Sequence, residues 1–167
     1  MGSAPPADAW RERPRAPLVL PEGIEAGLVG GVAVAAVFLA RDAWVGEPMH
    51  TPSVLGTLLV AGTEAARSGA PAPGAAALYH FVHFFLWIAI GFAGSALMAW
   101  SECRPARWLP PAAAVLALAP LAALDLAVQG AGLERLHLWL GGLAGIAAMG
   151  TFLAWRHPGA VRAPSER

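Results

Sequence analysis

Five side chains stand out as candidates for chemistry: Asp42, His80, His83, Asp125 and His137. Each is ionisable and each lies in or beside a long apolar run, the costly placement at which function is first sought. Imidazole and carboxylate are, thiolates aside, the commonest transition-metal ligands, and the His80-x-x-His83 spacing puts two nitrogens on one helix face. A metal site built from His80, His83, His137, Asp42 and Asp125 is therefore one expectation. Haem b is another, with His80 or His83 opposite His137 as axial ligands in apolar surroundings. Glu134-x-x-His137 has the spacing of di-iron bundles, but those need a second such pair and two further glutamates, and only His80-x-x-His83 is comparable. A proton path would use the same groups, since histidine titrates near neutrality. No polar residues continue it through the inner half of the chain's apolar runs, which weakens a transporter reading. The plainest alternative is that the five bond to one another and to backbone, giving a helix bundle its register.

Other polar residues carry less. His50, in Glu47-Pro48-Met49-His50, reads as a solvated loop residue, although a Met-His pair suits soft copper. The single cysteine, Cys103, beside Arg104, can form neither an internal disulfide nor a paired-cysteine site. No serine or cysteine has an evident base beside it, so hydrolytic catalysis is not expected and the chain reads more readily as a non-enzyme.

The elements that must position these residues are apolar helices. Of the 167 residues, 57% are hydrophobic and 13% charged, whereas a soluble domain carries roughly a quarter charged residues. The fold class is all-α, a polytopic membrane protein of four transmembrane helices in an antiparallel bundle. The spans run from about Ile24 to Val45, Ala76 to Trp100, Leu109 to Gly130 and Leu133 to Trp155, each near the 20 residues that cross a bilayer. Pro110 and Pro111 suit the start of the third span, Pro120 should kink it, and Gly130 with Gly132 leaves a tight turn before the fourth. Between the first two spans, residues 52–66 hold an apolar run too short to cross, which predicts an interfacial or re-entrant helix capped by Thr51 or Ser53.

Residues 1–22 read as a flexible polar tail without the apolar core of a cleaved signal peptide, and residues 157–167 as a second tail; the transmembrane domain is 23–156. Eight of the 11 basic residues, all arginines, fall in the two tails and the second connection, and only Arg41, Arg67 and Arg135 on the other side. That bias predicts cytoplasmic termini in a multi-pass protein of a bacterial inner membrane. Zero net charge and the lack of lysine show no nucleic-acid footprint, leaving the lipid bilayer as the expected partner. On this topology the five candidate residues share one layer, roughly 5 to 10 Å inside the outer helix ends.

Small residues mark the faces that let membrane helices approach. Gly23, Gly27 and Gly31 recur at four-residue spacing with Ala35, Gly91 precedes Ser95, and Gly141 and Gly145 repeat the theme. Such faces serve contacts within the chain, a homo-oligomer or a larger membrane complex equally well. Asp42 and His137 lie on these faces, so two carboxylates and three imidazoles should converge in the bundle.

Asp42 with Gly46-x-Pro48, then Thr51-Pro52-Ser53-x-Leu55-Gly56 and Tyr79-His80-x-x-His83-Phe84, resembles a pattern in small uncharacterised bacterial four-helix membrane proteins. The resemblance covers the first two spans and their connection and implies no particular activity. Two classes of function follow: an accessory or scaffolding subunit of a membrane assembly, or a metal- or haem-binding redox protein.

Overall fold

The structure is a computed structural model that describes residues 19–69, 72, 74–102, 109–131 and 133–158. Cys103, most of the N-terminal tail and nearly all of the C-terminal tail lie outside the described residues. Five helices follow one another: α1 Val19–Trp44, α2 His50–Arg67, α3 Ala75–Glu102, α4 Leu109–Ala127 and α5 Arg135–Arg156. No strand occurs among the described residues.

Helix α1 begins earlier than hydropathy suggests, because Pro21 and Glu22 are good first-turn residues: proline lacks only a donor that is unpaired there, and the carboxylate suits the positive helix start. It stops at a Schellman motif. Gly46, at φ 78°, takes the left-handed position, its N–H bonds the Ala43 carbonyl, and the Glu47 N–H bonds the Asp42 carbonyl at 2.9 Å. The short apolar run becomes a helix of 18 residues, α2, broken at Gly62, whose φ of 81° and ψ of −179° are helix-incompatible. Helix α4 contains Pro120, and the turn after it carries Gly130 at φ 84°.

α1 is the centre of the packing and makes its largest contacts with α3 and α5. Both neighbours run antiparallel to it. Gly23 lies against Phe92, Gly27 against Ile88 and Gly31 against Phe84, while Phe38 lies against Gly141 and Glu22 reaches His157. A Cβ on Gly27 would sit 2.5 Å from the Ile88 Cα, and one on Gly91 only 2.6 Å from the Gly27 nitrogen, so the α1 and α3 backbones are in direct contact. Trp87 is wedged at the three-helix centre: Cβ atoms on Gly30 of α1 and on Gly145 of α5 would each fall 2.6 Å from its ring. The small-residue faces are thus spent within the chain. Outward positions carry Val32, Leu39, Phe81, Phe85 and Val115, large apolar side chains suited to lipid.

Three helices, α1, α3 and α5, are long and apolar enough to cross a membrane; the apolar part of α4, Pro111–Ala127, is shorter. Hydropathy predicts four spans; α4 has 19 residues, Leu109–Ala127, after which the chain leaves helical geometry and turns through Gly130. α4 nevertheless lies alongside α3 and α5, with Leu121 against Gly142 and Asp125 bonded to Trp139.

Gly91→Leu should lower stability in detergent by at least about 2 kcal/mol, because the α1 backbone must move to admit it. A Cβ at Gly150 would meet nothing within 4 Å, and Gly150→Ala should leave stability unchanged or raise it by up to about 1 kcal/mol through helix propensity. Thermal unfolding of both variants checks the pair, and equal midpoints would refute the direct backbone contact.

Candidate functional site

Asp42 is the most deeply set of the five candidate residues, with no exposed surface. The α1 terminus holds it over the start of α2, where its Oδ2 accepts the Thr51 backbone N–H at 2.7 Å and its Oδ1 accepts the Thr51 hydroxyl at 2.7 Å. The expected cap was a side chain of α2 itself. The residue at the cap position is instead Met49, which makes no side-chain cap bond, so a carboxylate from the preceding helix does the work. Asp42 therefore closes α1 with its backbone and opens α2 with its side chain. Arg41 adds a 3.3 Å contact to Oδ1 and a second, 3.5 Å, to Glu134 beside α5.

His137 completes this centre. Its Nε2 is 3.5 Å from Thr51 Oγ1; since that hydroxyl gives its proton to Asp42, the ring must carry Nε2–H and donate. Its ring packs edge-on to Phe38 at 5.9 Å. The other ring nitrogen, Nδ1, is buried without a hydrogen-bond partner among the described residues and lies 3.8 Å from Glu134 Oε2. Asp42, Thr51 and His137 thus tie α1, α2 and α5 together.

The remaining candidates go elsewhere. His83 has both nitrogens engaged: Nε2 donates to the Gly31 carbonyl at 3.0 Å, and Nδ1 accepts the Tyr79 hydroxyl at 3.1 Å. Ligation of iron or another metal by His83 would have to break one of these bonds. His80, three residues earlier, turns to its own helix, where Nδ1 donates to the Ala76 carbonyl at 2.7 Å. That fixes the tautomer and leaves Nε2 with the ring's lone pair. Asp125 is bound by Arg135, whose Nε donates at 2.7 Å and whose second nitrogen also contacts the carboxylate, and by the Trp139 indole N–H at 3.3 Å. Asp42 and His137 meet through Thr51, then, whereas His80, His83 and Asp125 each have separate partners. Among the described residues no three His, Cys, Asp or Glu side chains are grouped so as to hold a metal ion. His50 opens α2 and faces Glu47, with Nδ1 3.2 Å from the carboxylate.

A second polar centre sits at the opposite end of the bundle. Glu22 in the first turn of α1 is contacted by Arg156 at 3.1 Å and His157 Nε2 at 3.0 Å, and both Glu22 and His157 are buried. Hydropathy assigns both residues to the tails. No local signal relates them, because the contact spans 135 residues of chain. Glu22 shows only as an acidic residue preceding an apolar run, and His157 as a basic residue ending one.

Met49 has the left-handed conformation, φ 69°, the one non-glycine residue to do so among those described. Such a backbone costs about 1–2 kcal/mol for a residue with a Cβ. It lines a cleft of about 300 Å³ together with Asp42, Tyr79 and His80. A second cleft, about 200 Å³ and almost wholly apolar, lies between Leu55 of α2, Leu86 of α3 and Leu121 of α4.

Comparison with protein-family models, with curated proteins and with solved structures finds no match.

Thr51→Val removes one donor to a buried carboxylate and the acceptor of His137, and should cost about 1–3 kcal/mol. Thr151→Ala, which deletes an exposed hydroxyl bonded to its own helix, should cost little by comparison. Unfolding midpoints in detergent measure both; a Thr51→Val protein as stable as the parent would mean the hydroxyl link from Asp42 to His137 does not hold α2 and α5 to α1.

Proposed function

We propose that this chain is a non-catalytic accessory or scaffolding subunit of a membrane assembly, crossing the membrane four times. The observation that carries the reading is the use made of the polar residues. Asp42, Asp125 and Glu22 each receive donors from another helix or connection of the same chain, so these carboxylates brace helices. A group held this way fixes a shape, which is what an assembly requires of a small subunit whose own outer face is large and apolar.

The directions of the helices support four crossings. α3 ends where α5 also ends, beside the start of α1, because Gly94 meets Leu153 and Glu22 meets His157. A return of the chain along the bundle between them favours a fourth crossing, and α4, at 19 residues and about 1.5 Å per residue, is nearly as long as the hydrocarbon core is thick. The arginine bias then favours cytoplasmic termini in a bacterial inner membrane.

Purified protein should show no Soret band and far less than one metal ion per chain, and mild cross-linking in native membranes should yield one partner protein at fixed stoichiometry. An absorbing or metal-loaded protein whose signal disappears in both His80→Ala and His83→Ala would replace this reading with the redox one. For topology, single cysteines at Ser3 and Ser165 in a Cys103→Ser background should react alike with an impermeant maleimide, and unlike one at Ser68. Opposite labelling of Ser3 and Ser165 positions would leave only three crossings.

A further inference from the structure

The cleft that Met49 lines combines features the bracing role does not use. It runs along α1 past Val32, Ala35, Ala36 and Leu39, and these four positions, at helical spacing, form an apolar trough. Val32 and Leu39 are more than half exposed, at 56% and 54%, so the trough opens sideways to lipid rather than along the bundle axis. At one end it meets Tyr79 and His80 of α3, Met49 and Pro52 at the start of α2, and Phe38.

The polar end offers acceptors. His80 spends its ring proton on the Ala76 carbonyl, which leaves Nε2 as a lone pair, and Tyr79 spends its hydroxyl proton on His83, which leaves its oxygen lone pairs. The Asp42 carboxylate is occupied by Thr51 and Arg41. An anionic lipid headgroup would need donors here, and the neighbouring Arg41 guanidinium is already engaged by Asp42 and Glu134. Tyr79, Met49 and Pro52 line the same cleft with an aromatic ring, a thioether and a proline, surfaces against which a flat ring packs well. A volume of about 300 Å³ lies in the range of small-molecule sites.

We propose that this lateral cleft binds the head ring of a hydroquinone-type lipid, with His80 Nε2 accepting a phenolic O–H and the tail lying in the Val32–Leu39 trough. The site does not depend on the accessory role. Met49, whose backbone is left-handed at the junction of α1 and α2, lines this cleft.

The test uses the full chain in phosphatidylcholine nanodiscs under anaerobic conditions, with radiolabelled decylhydroquinone, the matching decylquinone and decylbenzene as probes, each corrected for partition into empty discs. Decylhydroquinone should bind saturably at one per chain. The quinone, which brings only acceptors, and decylbenzene, which brings neither, should bind at least about tenfold more weakly. His80→Leu should weaken decylhydroquinone by a similar factor, His80→Gln, whose amide oxygen accepts, should recover part of the loss, and Ala36→Phe should block the trough for all three probes. Circular dichroism and a single elution peak certify each variant. Equal affinity for hydroquinone and quinone on the parent protein, no saturable binding above empty discs, or an unaffected folded His80→Leu variant would each overturn the site. If His80→Leu does not fold, the comparison of the three probes on the parent protein decides.

Discussion

The Asp42 carboxylate is the interaction on which the rest of the arrangement depends. A helix beginning inside a membrane domain exposes unpaired N–H groups where water is scarce, and leaving them bare costs several kcal/mol each in hydrocarbon. The first turn of α2 meets the same need, because Thr51 and Pro52 are buried against the rest of the chain. Its own cap residue, Met49, brings no polar atom, so the chain needs an acceptor from elsewhere. Asp42 provides it, nine residues upstream of the Thr51 N–H that it accepts, while its own carbonyl ends α1 through the Glu47 N–H. One residue thereby sets both the exit of α1 and the entry of α2. Because Thr51 and Arg41 relay the contact to His137 and Glu134, the same residue also positions the start of α5.

The glycine seams explain why so little else is needed. Between apolar helices in lipid, association depends on close packing rather than on removal of surface from water. Gly23, Gly27 and Gly91 bring the α1 and α3 backbones into contact, and Gly30 and Gly145 leave a slot that the Trp87 ring fills from the third helix. This slot makes α1, α3 and α5 a single packed unit. α4 touches it more lightly, chiefly through Leu121 against Gly142 and the bonds of Asp125. That difference fits the apolar cleft, which separates Pro120, Leu124 and Ala127 of α4 from Val34 of α1 and Leu138 of α5.

The helices and their glycine faces were legible in the sequence, because hydropathy over 20 residues and a four-residue period are local signals. The polar partners were not. Asp42 and His137 read as residues of small faces, but the side chain joining them, Thr51, comes from a segment whose docking no local pattern specifies. His80 and His83 share a helix stripe and yet have different fates: three residues is short of a full turn, so one ring reaches the Gly31 carbonyl across the α1 seam while the other falls back on its own Ala76 carbonyl. Glu22 and His157 read as tail residues because a hydropathy window sees a charge at the end of an apolar run without seeing its partner at the end of another.

Two polar centres at opposite ends of an apolar bundle solve a problem that the glycines create. A seam repeating every four residues fits its partner nearly as well after a slip of one turn, about 6 Å, since the next glycine then takes the place of the last. Lipid offers no penalty for the slip, as it would merely exchange one apolar contact for another. The polar contacts do. A slip of α5 against α1 by one turn would part Glu22 from Arg156 and His157 at one end and Thr51 from His137 at the other, stranding a buried carboxylate and a buried imidazole together. Each contact alone tolerates some tilt about itself, but two, separated by the length of α1, leave neither tilt nor slip free. The ionisable residues therefore select one register from several that the glycines permit.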